Sequence, residues 1–203
     1  GAGLIFRTHP NGTLDFQQIT GVPVGPGGRP TFTDDGALMA WVGEDNNIYG
    51  ARSDGANPTQ LTNDANWWSV ALNNNGSLLA ATSRFEDGTI FVFDLQNAAN
   101  NKSFTLENQT SGQGSTGDLV VFADVLEFAA GANFLLYDAK NRTNLNGTAI
   151  DYWDINLLRL DNGNTLRVLQ PLPLDESIGN PTFAQNSDNK IAFDHVKSDG
   201  SFE

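Results

Sequence analysis

A phrase of about forty residues recurs along this chain, and recurrence at that spacing constrains the fold more than any other feature of the sequence. The clearest copy runs Pro30-Thr31-Phe32-Thr33-Asp34-Asp35-Gly36-Ala37-Leu38-Met39-Ala40-Trp41 and continues through Ile48-Tyr49 and Asp54-Gly55 to Leu61-Thr62. A second copy, Leu72-Asn73-Asn74-Asn75-Gly76-Ser77-Leu78-Leu79-Ala80, leads to Ile90-Phe91-Val92-Phe93-Asp94. A third, more divergent copy passes through Val125–Gly131 and Phe134-Leu135-Leu136-Tyr137-Asp138 to Tyr152–Ile155 and Thr165–Leu169, with a polar insertion read at 139–148. A fourth begins at Pro181-Thr182-Phe183 and reaches Asp199-Gly200. Residues 4–20 read as two strands about the Asn11-Gly12 turn and match the second half of the repeat.

Within each copy the apolar runs are short and bounded by turn residues, and helical spacing is nowhere sustained. About four strands per copy make one sheet, which cannot bury both faces alone. Radial stacking of such sheets buries them, and the expected architecture is an all-β propeller. The approximate repeats are 30–62, 67–106, 118–169 and a composite of 181–203 with 4–20. Three full repeats plus one composite blade from the two termini make about four blades; a fragment of a larger propeller fits the same pattern. The Gly/Ser-rich segment 107–117 reads as an exposed loop.

These residues resemble the TolB-like, or WD40-like (PD40), β-propeller repeat, whose pattern is Pro-x-Phe-x-x-Asp-Gly followed by a Leu/Ile-Ala-Phe/Trp strand, Ile-Tyr, Asp-Gly and Leu-Thr. Residues 30–62 match it closely, 67–106 and 181–200 in part, and 118–169 loosely. The resemblance implies a fold and leaves the function open, since such repeats serve periplasmic adaptors, peptidase propeller domains and secreted proteins alike. It also implies that residues just before the Pro-x-Phe strand face the central channel and one rim. In this chain those are Arg29, Asn66, Trp67, Asp124 and Asn180, and they are the expected interaction residues. Trp67 and Trp68 are adjacent in a strand and so should point to opposite faces.

A net charge of −13 argues against nucleic-acid and anionic-membrane partners. The absence of cysteine excludes disulfides, thiolate catalysis and Cys-ligated metals. No apolar run is long enough for a membrane helix. His9 and His195 are the only histidines, and no Gly-x-Ser-x-Gly elbow accompanies them, so no catalytic constellation is expected. Glu44-Asp45-Asn46-Asn47 and the pair Asp118 and Asp124 offer oxygen ligands for Ca²⁺ without matching a known loop pattern, and solvated turns are the favoured reading. Six sequons, at Asn11, Asn75, Asn101, Asn108, Asn141 and Asn146, exceed the roughly 3 that chance would give. All are expected in loops or turns, where a glycan reaches solvent.

The leading expectation is therefore a non-enzymatic, acidic β-propeller, extracellular, cell-surface or periplasmic, acting in protein binding or self-assembly and carrying covalent glycans. The alternatives are the propeller domain of a larger hydrolase, such as a prolyl-oligopeptidase-type peptidase, and a carbohydrate-active enzyme. Fold analogy alone carries those alternatives.

Overall fold

The computed structural model describes residues 5–7, 17–18, 23–26, 29–106, 119–169, 173, 175–184 and 187–203. Three four-stranded antiparallel meanders follow one another in these residues. The first blade comprises β3 (Thr31–Phe32), β4 (Leu38–Val42), β5 (Ile48–Arg52) and β6 (Thr59–Gln60). The second comprises β7 (Trp67–Leu72), β8 (Leu78–Ser83), β9 (Thr89–Asp94) and β10 (Lys102–Thr105). The third comprises β11 (Leu119–Phe128), β12 (Phe134–Leu145), β13 (Thr148–Arg159) and β14 (Thr165–Arg167). A fourth sheet has two strands, β15 (Ser177–Ala184) and β16 (Ser187–Val196), and β1 (Phe6–Arg7) pairs with β2 (Gln17–Gln18) near the other end. The chain is all-β and propeller-like, with one short 3₁₀ turn, Ala98–Asn100, among the described residues.

Strand alternation assigns each apolar residue to one of two inter-blade layers. In β4, Ala40 and Val42 join Trp67, Val70, Leu72 and Leu79 between blades one and two. Met39 and Trp41, on the opposite face, meet Ile5 and Val24. In β12, Leu135, Tyr137 and Ala139 face blade two, while Leu136 packs with Ile155 and Ile178 toward the fourth sheet. The core is thus a succession of layers between blades: blades two and three are covered on both faces, while the fourth sheet packs one face on blade three and leaves β16 residues such as Lys190, Ala192 and Asp194 exposed.

The turn that opens each blade is built the same way. Gly36 N–H donates to the Thr33 carbonyl and Gly76 N–H to that of Asn73, both glycines at positive φ. In blade three Ala132 occupies this position, with φ of 52° and its N–H on the Ala129 carbonyl. A glycine relieves the left-handed strain there, and blade three accepts it.

Two expectations need correction. Residues 139–148, read as an inserted loop, are a continuation of β12 and β13 around an Asn146-Gly147 turn, with register kept from Phe134↔Arg159 to Leu145↔Thr148. Residues 144–148 are exposed, and their polarity marks paired strands in solvent, not irregular chain. Asn141 lies inside this strand, fully buried, and its amide donates to the Ala139 carbonyl. The sequon at Asn141 is therefore not in a loop. The segment 107–117 lies outside the described residues.

At the fourth sheet the described pairings join β15 to β16, and β1 to β2, without a ladder between the two pairs. The free edge of β16 instead meets the last residues of the sequence: Phe202 bridges to Val196, and Glu203 and His195 exchange backbone hydrogen bonds of 2.9 and 3.0 Å.

Candidate functional site

The blades are tied together near their innermost strands by two polar relays. At the end formed by the β3–β4, β7–β8 and β11–β12 turns, Asp34 N–H donates to the Asn74 carbonyl (3.0 Å). The Asn74 amide then donates to the Ala130 carbonyl (3.3 Å), and Ala130 N–H to the Asp188 carboxylate (2.6 Å). The sequence of contacts steps from blade one to the fourth sheet.

The second relay contains three of the five expected interaction residues. Trp68 Nε1 donates to Asp124 Oδ1 at 2.7 Å, joining blades two and three. Asp138, in the middle of β12, accepts from the backbone N–H of Val125 (2.7 Å), Asp124 (3.3 Å) and Asn180 (3.1 Å), joining blade three to the fourth sheet. Asn180 completes the circuit: its Nδ2 donates to Asp194 (2.9 Å) and its Oδ1 accepts from Arg29 Nη2 (2.9 Å), so the fourth sheet meets the entrance to blade one. Asn180 has a φ of 51°, at a bulge in the β15–β16 ladder between Gly179 and Thr182. The bulge turns its side chain and its N–H to different partners.

Asn66 and Trp67 are not part of this cluster. The Trp67 ring is buried, edge-on to Phe91 and Phe93 with centroids 5.3 Å away in each case, and its Nε1 is held by Asp64. Asn66 also turns toward Asp64. The physical reason is a register shift between Trp67 and Ser69, which keeps Trp67 on the same face as Val70 and Leu72 and leaves Trp68 to reach Asp124. Trp68 is the tryptophan of the site, and it begins an aromatic row: Trp68 to Phe122 at 6.3 Å and Phe122 to Trp153 at 6.5 Å, both edge-on.

Beside this row, Asp124, Asp138, Trp153, Asn180, Asp194 and Phe202 line a cleft of about 220 Å³. Burial pushes the Asp138 carboxyl up to about 6, against the pull of its backbone donors. Residue spacing did not point to Asp138 or Trp153. The signal for Asp138 was a lone acid inside the apolar run Phe134-Leu135-Leu136-Tyr137, where a carboxylate needs backbone donors to be tolerated. Further out on blade three, Arg167 and Asp154 form a buried ion pair at 2.9 Å.

The residues weighed for chemistry have structural partners. His195 Nε2 lies 2.9 Å from Glu176 Oε2, and His9 is outside the described residues. Asp45 accepts from Asn47 N–H (3.1 Å), Asn47 Nδ2 (2.8 Å) and the Tyr49 hydroxyl (2.8 Å), which makes the Glu44–Asn47 segment a closed turn. Asp118 lies outside the described residues. Among the sequons, Asn75, Asn101 and Asn146 are exposed; Asn75 Oδ1 accepts from Ser77 N–H and Asn101 Oδ1 from Asp94 N–H. Asn11 and Asn108 lie outside the described residues.

No family model matches the chain, and no curated protein matches it. Solved structures do resemble it. TolB from Acinetobacter baumannii aligns with a TM-score of 0.54 at 20% identity over 94% of this chain and 45% of its own. An oligogalacturonate lyase in complex with manganese aligns at 0.55 and 15% identity, over 99% of this chain and 59% of its own. The tricorn protease aligns at 0.52 and 12% identity, over 89% of this chain and 17% of its own. The chain spans about half the length of TolB and of the lyase. At these identities the likeness is one of fold: some of these propellers carry enzymes, and nothing in the alignments assigns catalysis to this chain. Among the described residues no helix is long and apolar enough to cross a membrane.

Proposed function

We propose that this chain is a non-enzymatic interaction module of an extracellular, cell-surface or periplasmic protein, binding a protein partner or further copies of itself through the β12–β13 hairpin. One observation carries the reading. The strands of that hairpin are 12 residues each, against 5 or 6 for the central strands of blades one and two. Its outer part, residues 144–149, is exposed, with Leu145 at 48%. Ordering such an arm has an entropic cost that the core does not repay, whereas a docking surface would. The base is held rigid: Arg142 grips Asp151 through both nitrogens (2.7 and 2.8 Å), and Lys140 reaches Glu86 of blade two at 2.6 Å.

The test is to replace residues 144–149 by a two-residue turn. Light scattering of the intact chain should show species above 21.8 kDa that vanish in the shortened variant, with the β circular dichroism kept. A wild-type chain that stays monomeric at high concentration and whose binding to partners is indifferent to the arm would overturn the reading. Glycans at the exposed sequons Asn75, Asn101 and Asn146, and none at Asn141, are part of the proposal. An intact mass of natural material equal to the bare sequence sinks that part. A second reading, a propeller within a larger hydrolase or carbohydrate-active enzyme, draws on the half-length coverage of TolB and the lyase. Reading the complete gene would separate the two.

A further inference from the structure

A concavity lies between blades two and three, away from the second relay and from the arm. It measures about 660 Å³, within the range of small-ligand sites. Leu78, Val92, Phe104, Ala132 and Leu160 form its floor. Leu78, Phe104 and Ala132 are only partly covered by the core they pack against. Gly163 packs against the Phe104 ring, where a Cβ would sit 3.3 Å from its Cδ1, so the glycine allows the ring its place beside the cleft. The rim carries Asp94, Asn100, Asn101, Lys102, Asn133 and Asp161.

The formal charges of that rim offset one another, Asp94 against Lys102 and Asp161 against its partner Arg159. Asp94 is occupied by the N–H groups of Gln96 and Asn97 and by Asn100 Nδ2, all within 2.9 Å, and these donors hold its carboxyl below the usual range. Asp161 is paired with Arg159 at 2.7 Å, and Lys102 Nζ donates to the Leu160 carbonyl at 3.2 Å. Besides Lys102 Nζ, the rim offers amides: the Asn133 side chain, Asn101 Nδ2 and Asn100 Oδ1. A neutral ligand with one C–H face for Phe104 and hydroxyls for amides, which donate and accept alike, fits this chemistry better than an ion or a wholly apolar molecule.

We propose that the cleft between blades two and three is a binding site for a neutral saccharide, with a sugar ring laid on Phe104 and its hydroxyls read by Asn133 and Asn101. The site is independent of the β12–β13 arm. The same sugar chemistry could come from a free oligosaccharide or from a glycan carried on Asn101 itself, whose Nδ2 is then the point of attachment so that Asn133 alone reads the hydroxyls; the two sources are separated by working first with protein produced without glycans.

The experiment is an amide NMR titration of that protein with cellobiose, maltose and N,N′-diacetylchitobiose, with digalacturonate and chitosan dimer as charged comparators. Binding of a neutral disaccharide is expected, with shifts confined to residues near Leu78, Val92, 100–104, 133 and 160. Asn133→Ala, an exposed change that leaves the core intact, should weaken it about tenfold, and Phe104→Ala at least as much. Shifts elsewhere, an equal or stronger response to the charged dimers, or an affinity unchanged in Asn133→Ala would overturn the site. If no free sugar shifts these residues, the glycosylated chain and its Asn101→Gln variant are compared: Phe104 protons in contact with sugar protons assign the cleft to the covalent glycan, and their absence rejects the proposal.

Discussion

At the scale of single residues, the burial of Asp138 has a measurable consequence. Its pKa rises on folding from 3.8 to about 6. A group of this kind contributes stability that is complete below the unfolded pKa and is lost as pH climbs through the folded one. Between pH 4 and 7 the native state should therefore lose about 2 kcal/mol from this group. Urea unfolding across that range should show the slope in the wild type and a flatter profile in Asp138→Asn; equal slopes would refute the assignment. Ala132 offers a second residue-scale test. It holds the left-handed position that Gly36 and Gly76 fill in the other blades, so Ala132→Gly should raise stability by about 0.5–1 kcal/mol, read from the denaturation midpoint. Both residues show where reading by repeat stops. The turn at 129–132 was legible as a turn, but its glycine, Gly131, stands one place early, and only the backbone reveals which residue carries the strain. Trp68 and Trp67 differ by a single bulge, and alternation alone could not tell which would reach the rim.

At the scale of elements, the inter-blade layers depend on small residues where sheets approach closely. Ala40 and Ala81 lie between blades one and two, and Ala71, Ala80 and Ala139 between two and three, all at most 2% exposed. A larger side chain there must push two sheets apart. Ala81→Leu should cost about 1–3 kcal/mol by overpacking, seen as a lower melting temperature with an unchanged strand signal. The strands of blades one and two were legible because apolar runs, turn glycines and period-two patterning agree there. Blade three was legible only in its inner half. The outer half of β12–β13 is polar on both faces, and its pairing rests on cross-strand partners such as Arg142 and Asp151, nine residues apart in sequence. A polar run of this kind reads as loop until its register is seen.

At the scale of the whole molecule, the net charge of −13 presses on the folded chain. Screening should relieve it: the melting temperature should rise by several degrees as NaCl goes from about 0.05 to 0.5 M. A flat or falling response would mean that local ion pairs outweigh the collective repulsion. By itself the sequence determined the class of fold and the order of its sheets, because repeat length, strand patterning and turn chemistry are local properties that each segment carries within itself. Only the tertiary structure decided which side chains converge. Asn180 links Asp138 of blade three to Arg29 at the entrance to blade one, Trp68 and not Trp67 reaches Asp124 beside them, and the cleft beside Phe104 is made by two blades neither of which contains it. Those outcomes depend on bulges, positive-φ positions and the spacing between sheets, which arise when segments far apart in the chain are packed against one another.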